Sequence, residues 1–185
     1  MLVEVRWHGR GGQGIVTVSR LLAQAALLDG KYVQAFPEFG PERRGAPVTG
    51  YTRISDDPIT IHSHIYNPSI IVIVDPTLIG QIDVTKGLVE DGTVVANTEK
   101  TPQELKESLK TEKAKVYTVN ATRIALDVLG RPIYNTAMLG ALVKASPLVT
   151  LESLSKVVTE RFPGAVGEKN VAVIKRAYEE AKGIE

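Results

Sequence analysis

Cysteine is absent from the 185 residues, and that absence removes several chemistries at once. Disulfides, a thiol nucleophile, thiolate-ligated zinc and an iron–sulfur cluster held by ordinary thiolate ligands are all excluded for this chain. Aromatic residues are few, at 5%, which leaves no array of rings for stacking bases. Charge is nearly balanced, with 22 Lys and Arg against 21 Asp and Glu, so there is no general attraction to nucleic acid or to a membrane surface. No apolar run reaches the roughly 18–20 residues that cross a bilayer, and no secretory pattern opens the chain. A cytoplasmic location is therefore expected. Histidine occurs only at His8, His62 and His64. His62 and His64 share one face of a predicted strand without a third ligand, so the expectation is a surface or packing role and no metal site.

What is present is 43% hydrophobic and 23% charged, the composition of a soluble globular protein with room for one domain over residues 1–185. Short apolar strands alternate with helical patterns. This predicts an α/β fold: a Rossmann-like, open, largely parallel sheet with helices on both faces and an antiparallel hairpin. Strands are expected near 2–7, 31–35, 70–74, 92–97 and 116–119. The hairpin is expected from 48–54 and 59–62 around Ser55-Asp56-Asp57-Pro58. Ile15, Val18, Leu22 and Ala25 recur at helical spacing, and Asn120 caps a helix ending before Gly130 and Pro132. Two more amphipathic helices are predicted, over 151–162 and along Val171, Ile174, Tyr178 and Ala181 before Gly183.

The first strand runs into Gly9-Arg10-Gly11-Gly12-Gln13-Gly14 and then directly into a helix. Glycines at 9, 11 and 14 fit the spacing G-x-G-x-x-G, in which bare backbone N–H groups at a helix N-terminus approach an anion closely. A dinucleotide normally also needs an acid at the end of the second strand. Here that place holds Val33-Gln34-Ala35-Phe36, and Glu38 serves only if its loop folds back. In a parallel sheet, ligands gather beyond the carboxyl ends of the strands, which puts His8-Gly9, Phe36 to Glu38, Asp75-Pro76, Asn97-Thr98 and Asn120 on one edge. Asp75 and Asn120 also read simply as helix caps. The loop from Phe36 to Pro47 carries Phe36, Glu38, Phe39, Glu42, Arg43 and Arg44 among prolines and glycines. It reads either as a solvated connection or as a face for a partner or ligand. No hydrolytic constellation emerges, and Ser19 falls inside a helix.

These two loops, with Asp75-Pro76, Val95-Ala96-Asn97-Thr98 and Asn135-Thr136-Ala137-Met138-Leu139-Gly140, give the chain a resemblance to a known family. It resembles the gamma subunits of 2-oxoacid:ferredoxin oxidoreductases, and the pyruvate form above the 2-oxoglutarate form. The resemblance implies a subunit of an enzyme that converts pyruvate and coenzyme A to acetyl-CoA and CO2 and passes electrons to ferredoxin. It implies alpha, beta and delta partner subunits. Thiamine diphosphate, Mg2+ and cysteine-bound [4Fe–4S] clusters then lie on those partners, with no catalytic residue on this chain. Within it, Gly9, Arg10, Gly11, Gly12, Gln13 and Gly14 either contact coenzyme A or form a subunit interface. Phe36, Glu38, Phe39, Glu42, Arg43 and Arg44 are interface candidates. Three alternatives stand beside this reading: the 2-oxoisovalerate enzyme, a stand-alone nucleotide-binding protein, and an interaction domain of an unrelated assembly.

Overall fold

A computed structural model describes residues 1–38 and 44–184. Strands β1 (Leu2–Arg10), β2 (Tyr32–Pro37), β3 (Pro47–Ser55), β4 (Ile70–Ile73), β5 (Thr93–Asn97), β6 (Lys115–Val119) and β7 (Lys182–Ile184) form one open sheet. Its order is β2-β3-β1-β4-β5-β6-β7. The strands β1, β4, β5 and β6 pair in parallel, β2 runs the same way, and only β3 and β7 oppose them. The helices are α1 (Ile15–Leu28), α2 (Pro102–Leu109), α3 (Ala121–Leu129), α4 (Asn135–Ala145), α5 (Leu151–Arg161) and α6 (Ala165–Glu180).

The unbroken run Ile70-Ile71-Val72-Ile73 shows why both faces are covered. Alternate side chains of a strand point to opposite faces, so each set needs its own apolar partner. Ile70 and Val72 join the large core beneath α1 and α3 to α6, whereas Ile71 and Ile73 pack with Leu78, Val84 and Leu105 of α2 on the other side. The helices therefore lie on both faces, as expected.

The hairpin forms with a different partner. A strand has two hydrogen-bonding edges, and β3 gives one to β1 and the other to β2. Nothing remains for 59–62, which are not in a strand. The antiparallel hairpin is β2–β3. His62 and His64 accordingly do not share a strand face; the His64 ring lies 5.5 Å from that of Tyr51 and 6.4 Å from that of Tyr66. At the C-terminus the last helix does stop before Gly183, but Lys182–Ile184 continue as an edge strand on β6.

Helix α4 has no counterpart among the predicted helices. Residues Asn135 to Val143 are all buried, because α4 lies between the sheet and α6. A helix enclosed on every side carries no polar stripe, so the periodic signal that marks surface helices is missing. Gly140 allows the close approach: a Cβ there would stand 2.0 Å from the Ile174 carbonyl oxygen. Gly140→Ala is expected to cost about 2 kcal/mol, read as a lowered denaturant midpoint, since backbone on the facing helix cannot yield like a side chain.

Candidate functional site

The carboxyl ends of β1, β2, β4, β5 and β6 share one edge of the sheet, and the residues read from the sequence as strand ends lie along it. Asn120 Oδ1 accepts from the Arg123 N–H at 3.0 Å, the expected cap. Asp75 also caps: Oδ1 accepts from the Thr77 N–H at 2.9 Å and its hydroxyl at 2.6 Å, with Pro76 at the first helical position. Its second oxygen takes a contact with no counterpart in the sequence reading, 2.6 Å from the Gln13 side-chain nitrogen. Burial works to raise the Asp75 pKa. Bonds from Thr77 and Gln13 and the nearby Arg10 charge outweigh it and hold the carboxyl below its usual range.

The glycine loop turns through two left-handed residues, Gly12 at φ +90° and Gly14 at φ +74°. Gly14 is the N-cap of α1, so that end has no side-chain cap, and its first turn has no acidic residue. Among the described residues, the first backbone donors and the dipole of this 14-residue helix thus meet no capping side chain and no acidic residue of the first turn. They border a cleft of about 590 Å³ whose walls include Tyr134, Asn135, Phe162 and three cations, Arg131, Arg161 and Lys169. Asn135 is 7% exposed, and its buried Oδ1 has no hydrogen-bond partner among the described residues. A Cβ on Gly14 would come within 2.3 Å of the Asn135 amide nitrogen. Glycine is therefore required there twice, for its φ and for the space.

The six loop residues separate by what they do. Gly12, Gln13 and Gly14 line the cleft. Gly9 lets the chain pass Ile15, whose Cδ1 would be 2.3 Å from a Cβ at that position. The Gly11 N–H donates to the Ala46 carbonyl at 2.8 Å, and the Gly45 N–H donates to the Gly11 carbonyl at 3.0 Å, fastening this loop to the residues just before β3. Arg10 points the same way: its guanidinium donates to Thr77, Gln81 and the Gly45 carbonyl and lies 3.3 Å from Asp75. The cations that face the cleft come from the α3–α4 connection, the end of α5 and the first turns of α6. Helical spacing did not single them out, because they meet only in the folded chain.

Among the interface candidates, Phe39, Glu42 and Arg43 lie outside the described residues. The Phe36 ring centre lies 5.1 Å from that of Tyr51 with the planes tilted by 35°, and Arg44 is exposed beside the glycine loop. Glu38 is exposed and accepts from the Tyr51 hydroxyl at 3.3 Å. Burial, then the Glu38 charge, pushes Tyr51 up to about 12. Glu38 stands at the end of β2, two strands away from β1, because β3 is inserted between them. The adjacent-strand acid that a dinucleotide ribose needs is missing for a topological reason.

The family model for pyruvate ferredoxin/flavodoxin oxidoreductase matches residues 4–180. The chain belongs to this family. It is 52% identical over 184 residues to the pyruvate/ketoisovalerate oxidoreductases common subunit gamma of Pyrococcus furiosus, covering 100% of both chains. It is 50% identical to the pyruvate synthase subunit PorC of Methanothermobacter marburgensis, covering 98% of each. The crystal structure of the pyruvate oxidoreductase subunit PORC of Thermotoga maritima superposes with a TM-score of 0.89 at 40% identity, covering 100% of this chain and 99% of that one. Among the described residues there is no helix long and apolar enough to cross a membrane and no cluster of three metal-ligating side chains.

Proposed function

We propose that this chain is the gamma subunit of a multisubunit pyruvate:ferredoxin oxidoreductase and that its cleft binds the anionic part of coenzyme A. The overall reaction takes pyruvate, coenzyme A and oxidised ferredoxin to acetyl-CoA, CO2 and reduced ferredoxin. The observation that carries the subunit role is the end-to-end relation to the Pyrococcus furiosus common subunit gamma. Residues 1–185 then act as one gamma-subunit domain in the cytoplasm, among alpha, beta and delta subunits that pass electrons to ferredoxin. Thiamine diphosphate, Mg2+ and the iron–sulfur clusters belong to those partners, since a chain without cysteine offers a cluster no thiolates.

The coenzyme A assignment rests on the uncapped N-terminus of α1 opposite Arg131, Arg161 and Lys169. Backbone donors and flanking cations suit phosphate, and Asn135 adds a buried polar contact. In this reading Arg10 is part of the loop framework and of the subunit interface, together with Phe36, Glu38, Phe39, Glu42, Arg43 and Arg44. In the assembled enzyme, Arg131→Glu/Lys169→Glu is expected to raise the KM for coenzyme A by about tenfold or more, because a charge-assisted contact is worth roughly 1.5–3 kcal/mol. The KM for pyruvate should stay within about twofold. An unchanged KM for coenzyme A removes the cleft from the proposal.

The word "common" in the name of the Pyrococcus furiosus relative favours a second use of the same chain. A gamma subunit that does not build the 2-oxoacid pocket can serve a branched-chain enzyme as well. Tagging the chain in its host and identifying the recovered subunits tests this. One set of partners with pyruvate-dependent ferredoxin reduction supports the first reading alone, and two sets support the shared subunit.

A further inference from the structure

Gln13 bonds groups from three separate segments. Its Oε1 accepts from the Arg10 N–H at 2.8 Å, which closes the glycine turn on itself. Its Nε2 donates to Asp75 Oδ2 at 2.6 Å, just beyond β4, and to the Tyr134 hydroxyl oxygen at 3.0 Å, at the start of α4. An amide nitrogen has two hydrogens, and both are engaged. Gln13 therefore lines the cleft without an N–H to offer a ligand. What it does is join the glycine loop on one wall to Tyr134 on the other, with Asp75 as the anchor. Asp75 is itself fixed by two bonds from Thr77, so the anchor does not swing.

The need for such a tie follows from the loop's composition. Gly11, Gly12 and Gly14 leave the backbone free to reach several conformations, and ordering them on binding would weaken affinity. A loop already held in its binding geometry avoids that loss. Tyr134 adjoins Asn135, whose amide nitrogen lies 3.5 Å from the Gly14 carbonyl, so the same tie sets Asn135 against the helix end. We propose that Gln13 is a positioning residue for the anionic ligand of the cleft, holding the α1 N-terminus and the Tyr134–Asn135 wall in register through Asp75, rather than touching the ligand itself.

This inference rests on the coenzyme A reading, and the test keeps the two apart. In the assembled enzyme, Gln13→Ala is expected to raise the KM for coenzyme A by about tenfold, with the change in kcat at saturating coenzyme A clearly smaller. Gln13→Glu sets a carboxylate against Asp75 and should raise KM further. The double variant Gln13→Glu/Asp75→Asn exchanges donor and acceptor across that contact. The remaining oxygen at position 75 still accepts from Thr77, and KM should return to within about threefold of the starting enzyme. If Gln13→Ala leaves that KM unchanged while Arg131→Glu/Lys169→Glu raises it, the positioning role is overturned and the cleft reading stands. If neither raises it, both fall. Should Gln13→Ala fail to assemble, Tyr134→Phe decides, because it removes only one acceptor. A rise of about two- to fivefold supports the proposal, and an unchanged KM overturns it.

Discussion

Replacing Arg53 by alanine is expected to destabilise the folded chain by about 3 kcal/mol, because it leaves the partly buried Glu4 carboxylate and two carbonyls without their donor. Arg53 is 1% exposed and stands on the face of β3 away from the main helical layer. Its guanidinium donates to Glu4 at 2.8 Å, to Gln34 at 3.1 Å and to the carbonyls of Ser63 and His64 at 2.8 and 3.3 Å. It also lies 5.4 Å from the centre of the Phe36 ring. Removing it leaves a carboxylate and two carbonyls without their donor and releases the segment after β3 from the sheet. Arg53→Lys should recover only part of the loss, since one ammonium cannot reach a carboxylate and two carbonyls in the same fork. Urea titrations of the three proteins measure both effects. A loss below about 1 kcal/mol for Arg53→Ala would show that water replaces the clamp at little cost.

Acid should weaken the fold through His8. Burial first, and then the Arg6 charge, depress its pKa from 6.5 to about 4, against smaller opposing effects of the Val84 backbone and Asp83. The Arg6 Nε donates to His8 Nε2 at 3.1 Å, so the ring is held neutral, and a proton on that nitrogen would set two donors face to face. The sign follows from linkage. An unfolded chain takes up the proton near pH 6.5, whereas the folded chain takes it up only near pH 4. The stability associated with neutral His8 is complete above the unfolded value. It is lost as pH falls between the two, by about 3 kcal/mol in all. The carboxylates titrate over part of the same range, so the informative quantity is a difference. The stability gap between the native chain and His8→Gln should shrink by about 3 kcal/mol from pH 7 to pH 4. A gap that stays constant over that range would show that His8 does not titrate in this way.

The reach of the sequence differed between elements for identifiable reasons. The β1–glycine loop–α1 unit, the central strand β4 and the capped helix α3 were legible because each has a local signal: a turn residue, an unbroken apolar run, a cap. The partner of β3 was not. A turn at Ser55-Asp56-Asp57-Pro58 suggests a hairpin, but whether β3 has an edge left depends on β1 and β2, which only the whole sheet decides. Helix α4 was missed because full enclosure erases its polar face. At the site, the turn of the glycine loop into α1 was readable from glycine spacing alone. Arg131, Arg161 and Lys169 were not, because they come from three segments that meet only after α4 and α6 have packed. Gln13 illustrates a subtler limit. Its presence in the loop was evident, yet its partners Asp75 and Tyr134 lie far along the chain, and those partners decide whether an amide meets a ligand or a wall.

The enclosure of α4 has a consequence for how the chain is made. Synthesis proceeds from the N-terminus at roughly 5–20 residues per second. Helix α4 ends at Ala145 and its cover, α6, ends at Glu180, 35 residues later (180 − 145). Until α6 packs, the chain holds an apolar helix with one side on the sheet and the other bare. The last helix thus acts as the closing piece in biogenesis, and a chain halted before it presents a sticky surface to whatever chaperone or neighbouring nascent chain is at hand.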